Sequence, residues 1–164
     1  MSRRSVNVLG FLACAALLGF AYYSQYVLGL EPCPLCIFQR IGVAAVGAGF
    51  LLAAVHGPGR KGSLVWAVII DLAVVATILV AARHIWIQHQ PPGTVSACGA
   101  SLEYMMKIFS VGEVVRKVLT GSGECAQVSW RFLTLSMPAW VLIAALGLGA
   151  LNMWNNLLRR QVPR

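Results

Sequence analysis

Four long apolar runs follow one another along the chain. They cover residues 5–30, 36–55, 64–82 and 132–158. Arg40 is the only charge in the second run and Asp71 the only charge in the third, while the other two runs carry none. An α-helix needs about 20 apolar residues to cross a bilayer. The pattern predicts a single integral membrane domain over residues 1–164, with spans at approximately 6–28, 36–55, 64–82 and 137–157.

The first run also has the marks of a cleaved signal peptide, which are a basic start and an apolar core. Arg3 and Arg4 precede it. The cores of signal peptides extend only about 7–15 residues, however, and this run is much longer. A retained first span is therefore the favoured interpretation.

The segment between the third and fourth runs has a different character. Residues 88–136 contain the sequence Pro91-Pro92-Gly93, scattered charges, Cys98 and Cys125, which is typical of a long extramembrane loop. Within it, apolar residues recur near helical spacing with charged residues between them, at Leu102, Met105, Met106, Phe109, Val114 and Val118. This spacing predicts a short amphipathic helix, either on the membrane surface or packed on the protein.

Composition agrees with a membrane protein. Of the 164 residues, 59% are hydrophobic and only 11% are charged, whereas soluble domains carry about 25% charged residues. The fold class we predict is an all-α membrane protein, a four-transmembrane-helix bundle with a long periplasmic loop. The formal net charge is +8, but no basic stripe alternates with exposed aromatic residues, so we expect no nucleic-acid partner.

The distribution of basic residues predicts the orientation. Seven of them lie at the two ends and in one short connection: Arg3, Arg4, Arg60, Lys61, Arg159, Arg160 and Arg164. Four spans place both termini and the 60–61 connection on one side of the bilayer, and the positive-inside bias makes that side the cytoplasm. Cys33, Cys36, Cys98 and Cys125 then lie on the outer side. In a bacterium this is the oxidising periplasm, where disulfides persist.

The cysteine pair Cys33-Pro34-Leu35-Cys36 stands at the start of the second run. Pro34 fits the first turn of a helix, where a missing N–H is tolerated. Cys36 should then lie in the first turn, where unpaired N–H groups and the helix dipole favour a thiolate. Arg40, four residues later, shares the helix face of Cys36 and adds a positive charge. These features predict a redox-active thiol at the membrane boundary.

Three functions compete for the four outer cysteines. As structural disulfides, Cys33 and Cys36 would close a very small ring and contribute little chain entropy. As a zinc site, Cys-x-x-Cys commonly needs a second close-spaced ligand pair, but Cys98 and Cys125 are 27 positions apart. Thiol–disulfide chemistry uses all four cysteines and is the interpretation we favour. The alternative from another class is a membrane protein that binds metal through cysteine and histidine.

The cysteine motif and later blocks resemble the DsbB family of bacterial disulfide bond formation proteins. The matching blocks are Pro32-Cys33-Pro34-Leu35-Cys36-x-x-Gln39-Arg40, Cys98-Gly99, residues 121–126, and Trp130-x-Phe132-Leu133-x-Leu135-Ser136-Met137-Pro138-x-Trp140. The resemblance extends from the first span to the fourth. The combination of motifs is highly specific, although a lone Cys-x-x-Cys is not.

The resemblance implies a quinone-coupled thiol oxidoreductase. Cys98 and Cys125 would accept electrons from a periplasmic DsbA-like thiol oxidase, with Cys98 forming the mixed disulfide. Cys33 and Cys36 would reoxidise that pair and pass the electrons to a membrane quinone, ubiquinone or menaquinone. Arg40 would help to bind or polarise the quinone. A family histidine follows the third span, and the spacing leaves both His84 and His89 as candidates.

Asp71 and Cys14 both lie within apolar runs. Asp71 lies inside a span, where an acid is either functional or paired with a neighbouring helix. Cys14 lies in an apolar run, and we expect it to behave as a small buried hydrophobic residue.

Overall fold

Helices carry all four apolar runs. The computed structural model describes residues 2–91, 102–121, 123–128 and 130–157. In chain order its elements are α1 (Arg3–Tyr26), α2 (Pro34–His56), α3 (Arg60–Gln88), α4 (Leu102–Ile108), α5 (Val111–Thr120), α6 (Gly123–Ala126), β1 (Arg131–Phe132), β2 (Leu135–Ser136), α7 (Met137–Asn152) and a π-helical turn (Met153–Leu157). The helices α1, α2, α3 and α7 with its π-helical extension are long and apolar enough to cross a membrane. The predicted four-helix membrane fold is confirmed.

Local sequence explains where several of these helices begin and end. Pro34 stands in the first turn of α2, and Gly57 ends that helix in the left-handed conformation with φ +53°. Pro138 occupies the first turn of α7. The helix α3 continues to Gln88, beyond the predicted end at residue 82, because His84 and Ile87 extend its buried face.

The membrane helices pack in sequence order, α1 against α2, α2 against α3, and α3 against α7. Phe50 and Ile70 are completely buried at the centre of this bundle. Glycines allow close contacts between α2 and its neighbours. A Cβ atom added to Gly47 would lie 2.9 Å from Cys14 Cβ, and one added to Gly49 would lie 2.8 Å from Ile70 Cγ1. Cys14 is itself buried, as expected.

The contact at Gly49 leads to a stability prediction. Gly49→Val should lower the free energy of unfolding by about 1–3 kcal/mol, because the added side chain must displace Ile70 in a packed interior. Gly19→Val is the matched control, since nothing lies within 4 Å of a Cβ atom at Gly19. Denaturant unfolding in detergent micelles would measure both variants. Equal destabilisation by the two substitutions would contradict the packing argument.

A second hydrophobic cluster lies beside the N-terminus of α2. It contains Leu35, Ile87, Val114 and Val118, together with Cys33, Met105 and Cys125. Val114 and Val118 form the buried face of α5, while Val111 and Leu119 on the same helix are exposed. The predicted amphipathic segment is therefore two short helices, and the apolar face of α5 packs on the protein.

Asparagine side chains join the helices at the other end of the bundle. Asn152 Nδ2 donates to Asp71 Oδ1 at 2.9 Å. Asn155 Nδ2 donates to Asn7 Oδ1 at 2.9 Å and to the Arg3 carbonyl at 3.1 Å. Asp71 therefore pairs with a neighbouring helix, and the start of α1 lies beside the π-helical turn.

Candidate redox site

Cys33 and Cys36 meet at the N-terminus of α2. Cys33 is the N-cap residue, and its sulfur accepts a hydrogen bond from the Cys36 N–H at 3.3 Å. The two sulfur atoms are 2.9 Å apart, with one thiol donating to the other. Cys33 is buried and Cys36 is half-buried. Because the helix directs its unpaired N–H groups at this pair, the site favours negative charge on sulfur.

Cys125 approaches this pair from α6. It is buried, and its sulfur lies within 4.8 Å of the Cys33 sulfur and of a His84 ring nitrogen. Hydrogen bonding with the Cys125 thiol, then with the Cys36 thiol, together with burial, raises the pKa of the Cys33 thiol above its ordinary value. Cys98 lies outside the described residues.

His84 is the histidine that the fold brings to the cysteines. Its Nε2 lies 3.1 Å from the Cys125 carbonyl oxygen and 3.7 Å from the Cys33 sulfur. A carbonyl can only accept, so Nε2 carries the proton and donates to it. His84 Nδ1 then accepts from Gln39 Nε2 at 2.9 Å. His89, by contrast, is exposed and pairs with the Ile85 carbonyl of its own helix.

Arg40 lies one turn below Cys36 and is held by α1. Its Nη1 donates to Gln25 Oε1, and its Nη2 donates to the Ala21 carbonyl at 2.9 Å. The guanidinium carbon also lies 5.2 Å from the centre of the Tyr22 ring. These contacts hold the Arg40 side chain against α1.

A cavity of about 330 Å³ opens beside these residues. Its lining includes Cys33, Cys36, Gln39, Arg40 and His84, together with several aromatic rings. Adjacent ring centres are 5.6 Å apart for Phe20 and Trp130, 6.0 Å for Trp130 and Phe132, and 5.9 Å for Phe132 and Trp140. Most ligand-binding pockets are apolar spaces of this size with a few polar groups.

A short hairpin positions part of the aromatic wall. Strand β1 pairs antiparallel with β2, with Arg131 opposite Ser136. The turn residues Leu133 and Thr134 have φ values of 49° and 69°, which non-glycine residues rarely adopt. Trp140 Nε1 donates to the Phe132 carbonyl at 3.1 Å and fixes the hairpin on α7.

Comparison with known proteins identifies the family. The model for disulfide bond formation protein DsbB matches residues 3–155. Disulfide bond formation protein B of Methylococcus capsulatus is 48% identical over 157 residues, covering 94% of this chain and 96% of that protein. The Chromobacterium violaceum protein of the same name is 48% identical over 158 residues, covering 94% and 95%.

The chain belongs to the DsbB family.

Membership of the DsbB family confirms the predicted resemblance and the general function. The chain is a multi-pass membrane oxidoreductase of disulfide bond formation, and the family implies a thiol oxidase partner. The comparisons give no support to metal binding as its function.

Several residues of the site were missed or left open by sequence reasoning. The choice between His84 and His89 depends on the rotation of α3, which places His84 towards α2 and α6. Gln39 and Gln25 were assigned no function. Their polarity could have indicated them, since each is an amide near the cysteine-bearing end of an apolar helix, where an unpaired polar group is costly.

Proposed function

We propose that this DsbB-family chain reoxidises a periplasmic DsbA-like thiol oxidase and transfers the electrons to a membrane quinone. The observation that carries the proposal is the position of the Cys33 sulfur near two other sulfur atoms, those of Cys125 and Cys36. Its sulfur lies within 4.8 Å of the Cys125 sulfur, which belongs to the loop, and 2.9 Å from the Cys36 sulfur, which belongs to a cavity-lining residue. Electrons can therefore move from the loop to the cavity by successive thiol exchange.

The exchange begins with a Cys98–Cys125 disulfide. A thiolate of the partner attacks Cys98 and releases Cys125, and the second partner thiol then displaces Cys98. The partner leaves with a disulfide, and Cys98 and Cys125 become a dithiol. Each step needs a thiolate and a sulfur leaving group in line with it.

The second exchange passes the two electrons to α2. The Cys125 thiolate attacks Cys33 of a Cys33–Cys36 disulfide, and Cys36 leaves as a thiolate. Cys98 then displaces Cys33 from Cys125, which restores the Cys98–Cys125 disulfide and leaves Cys33 and Cys36 reduced. Cys33 is the attacked sulfur because it lies nearest Cys125, and Cys36 leaves beside the positive charge of Arg40.

The cavity fits a quinone. Its aromatic rings suit a flat, apolar ligand, and Arg40, His84 and Gln39 contribute polar groups to the lining. A bound quinone would supply the acceptor for two electrons and two protons. DsbA-like oxidases are strongly oxidising, at about −120 mV, so the acceptor must be more oxidising still. Ubiquinone and menaquinone, dissolved in the bilayer, are the candidates.

Arg40 and His84 have distinct functions in this scheme. The guanidinium of Arg40 lines the same cavity as Cys36 and stabilises the negative charge that develops when Cys36 becomes a thiolate. The Nε2 proton of His84 lies 3.7 Å from the Cys33 sulfur and can stabilise charge there when Cys33 is displaced. Gln39 holds the tautomer of His84 that places this proton on Nε2.

The proposed location is the bacterial inner membrane, with both termini in the cytoplasm. Supporting this orientation, Arg3 and Arg4 begin α1, and Arg60 and Lys61 begin α3, which starts on the same side of the bilayer as α1. The cysteine pairs then face the periplasm, where the soluble partner is found.

A trapping experiment tests the proposal. In Cys125→Ser, Cys98 is a lone thiol that can attack the disulfide of an oxidised DsbA-like oxidase, and no second loop cysteine is present to displace the oxidase from Cys98, so a covalent complex between the two should accumulate. The complex should dissociate in reductant and should be absent in Cys98→Ser. Non-reducing gels would detect it, and reduction of a short-chain quinone by wild-type protein and reduced partner would be assayed in parallel. Stable insertion of both variants with no trapped partner would show that the loop cysteines do not exchange with one.

A further inference from the structure

Three buried ligand atoms converge at the outer end of the bundle. The sulfurs of Cys33 and Cys125 and a ring nitrogen of His84 all lie within 4.8 Å of one another. The exposed fractions of these residues are 8%, 1% and 2%. Thiolate sulfur and imidazole nitrogen are the ligands that Zn²⁺ and similar soft divalent cations prefer in proteins. The group therefore has the composition of a metal site as well as of an exchange site.

The spacing also suits a tetrahedral ion. With Zn–S bonds of about 2.3 Å and Zn–N bonds of about 2.0 Å, tetrahedral geometry separates sulfur from nitrogen by roughly 3.5 Å. The distance from the Cys33 sulfur to His84 Nε2 is 3.7 Å. A cation could therefore be bound by small side-chain movements, without rearrangement of the helices. Cys36, whose sulfur is 2.9 Å from that of Cys33, lies where it could supply a fourth ligand.

Gln39 is a hydrogen-bond partner that could orient His84 as a metal ligand. Metal-binding histidines almost always donate their second ring N–H to a fixed acceptor. Gln39 contacts His84 Nδ1 at 2.9 Å and is 4% exposed. An amide can donate through nitrogen or accept through oxygen. Rotation of the Gln39 amide would let it accept from Nδ1–H, so that Nε2 would lose its proton and become available to a cation.

We propose that the reduced protein binds one soft divalent cation, of the Zn²⁺ class, through Cys33, Cys125 and His84, and that binding arrests thiol exchange. The arrest rests on the proposed function, because the cation occupies the two sulfurs that would exchange electrons between the loop and α2. Binding releases the protons of both thiols to solvent and changes no oxidation state. A disulfide bond at Cys33 or Cys125 removes a thiolate ligand, so the metal site exists only in the reduced protein. Metal should therefore inhibit the enzyme only in its reduced state.

Cobalt is the probe for the site, because Co²⁺ replaces Zn²⁺ and gives thiolate charge-transfer absorption. Titration of the full-length protein, reduced without a thiol reagent in detergent under anaerobic conditions, should reach saturation at one Co²⁺ per chain. Zn²⁺ should then displace the cobalt. The oxidised protein should show no such absorption. Saturation at other ratios, or equal absorption by the oxidised protein, would overturn the proposal.

Variants identify the ligands. Cys125→Ser and His84→Gln should each weaken cobalt binding by at least about tenfold. Gln39→Leu should do the same, as losses of outer-shell support cost about 10–100-fold in metal affinity, whereas Gln39→Glu should retain affinity. Cys14→Ser, a buried cysteine in the separate core of the bundle, is the matched control and should bind as wild type. If Cys125→Ser or His84→Gln does not fold as the wild type does, the cobalt affinities of Gln39→Leu and Gln39→Glu decide whether the site exists. Unchanged affinity in Gln39→Leu and His84→Gln would overturn the assignment.

The same preparation separates this proposal from the proposed function. Without metal, quinone reduction by the reduced partner tests the function alone. Zn²⁺ should lower that rate at least tenfold, and a chelator should restore it. Protein that reduces quinone but binds no cobalt would disprove the metal site only. Protein that binds cobalt with the expected variant pattern but reduces no quinone would disprove the function only.

Discussion

Replacing Cys36 with serine should lower quinone-coupled turnover by at least about a thousandfold, as is usual when a reacting group is removed from a catalytic unit. The same variant should accumulate a disulfide between Cys33 and Cys125. In the proposed scheme Cys36 is the thiol that displaces Cys125 from Cys33. Without Cys36, the Cys33 thiolate would attack Cys125 of the Cys98–Cys125 disulfide and release Cys98, and no second thiol on α2 would be present to displace Cys125 from Cys33. Alkylation, non-reducing digestion and mass spectrometry would detect the linked peptides.

Matched cysteine variants control this result. Cys14→Ser makes the same substitution at a buried site away from the cavity and should keep full turnover. Cys33→Ser should lose turnover as well, but cannot form the linked peptides. A Cys33–Cys98 linkage in place of Cys33–Cys125 would show that the order of exchange is different. Turnover above one tenth of wild type in Cys36→Ser would show that Cys36 is not the terminal thiol.

Arg40→Ala should raise the KM for quinone by about 10–100-fold, with a smaller change in kcat at saturating quinone. Hydrogen bonds to charged groups contribute about 1.5–3 kcal/mol, which corresponds to this range of affinity. Gln25→Leu should shift KM in the same direction by a smaller factor, because Gln25 positions the guanidinium without lining the cavity. Steady-state quinone reduction with saturating reduced partner would measure both.

Arg83→Ala is the matched arginine control. Arg83 also donates to backbone carbonyls, those of Leu119 and Thr120, but it does not line the cavity. Its removal should leave the KM for quinone within about twofold of wild type. If Arg40→Ala folds, inserts and keeps the wild-type KM, the guanidinium serves only to join α2 to α1.

The number and order of the spans could be predicted from the sequence because they depend on local properties. An apolar run long enough to cross a bilayer must form a helix there, since unpaired backbone groups are too costly in lipid. The start of α2 could also be predicted from local sequence, because Pro34 fits a first helical turn and Cys33 precedes it. The side of the bilayer on which the cysteines stand was then inferred by counting spans and basic residues.

The pairing of distant side chains depended on the tertiary structure. His84 is 45 positions from Gln39 and 41 from Cys125, and its contacts with both require the packing of α3 against α2 and α6. Helical periodicity in an almost uniformly apolar segment does not show which face meets a neighbour. For the same reason, sequence spacing could not choose between His84 and His89.

What the sequence determined by itself is a set of four membrane helices with a thiol pair at the start of the second, because apolar length, proline and charge act over a few residues. Only the tertiary structure decided that Cys125 lies beside Cys33, that Gln25 holds Arg40, and that a strained hairpin adds Phe132 to the wall of the cavity. These contacts join segments that are far apart in the chain. An apolar helix could turn many faces towards its neighbours. The contacts form only when the helices settle on the faces where glycines allow close approach and where buried polar side chains such as His84 and Asn152 find partners.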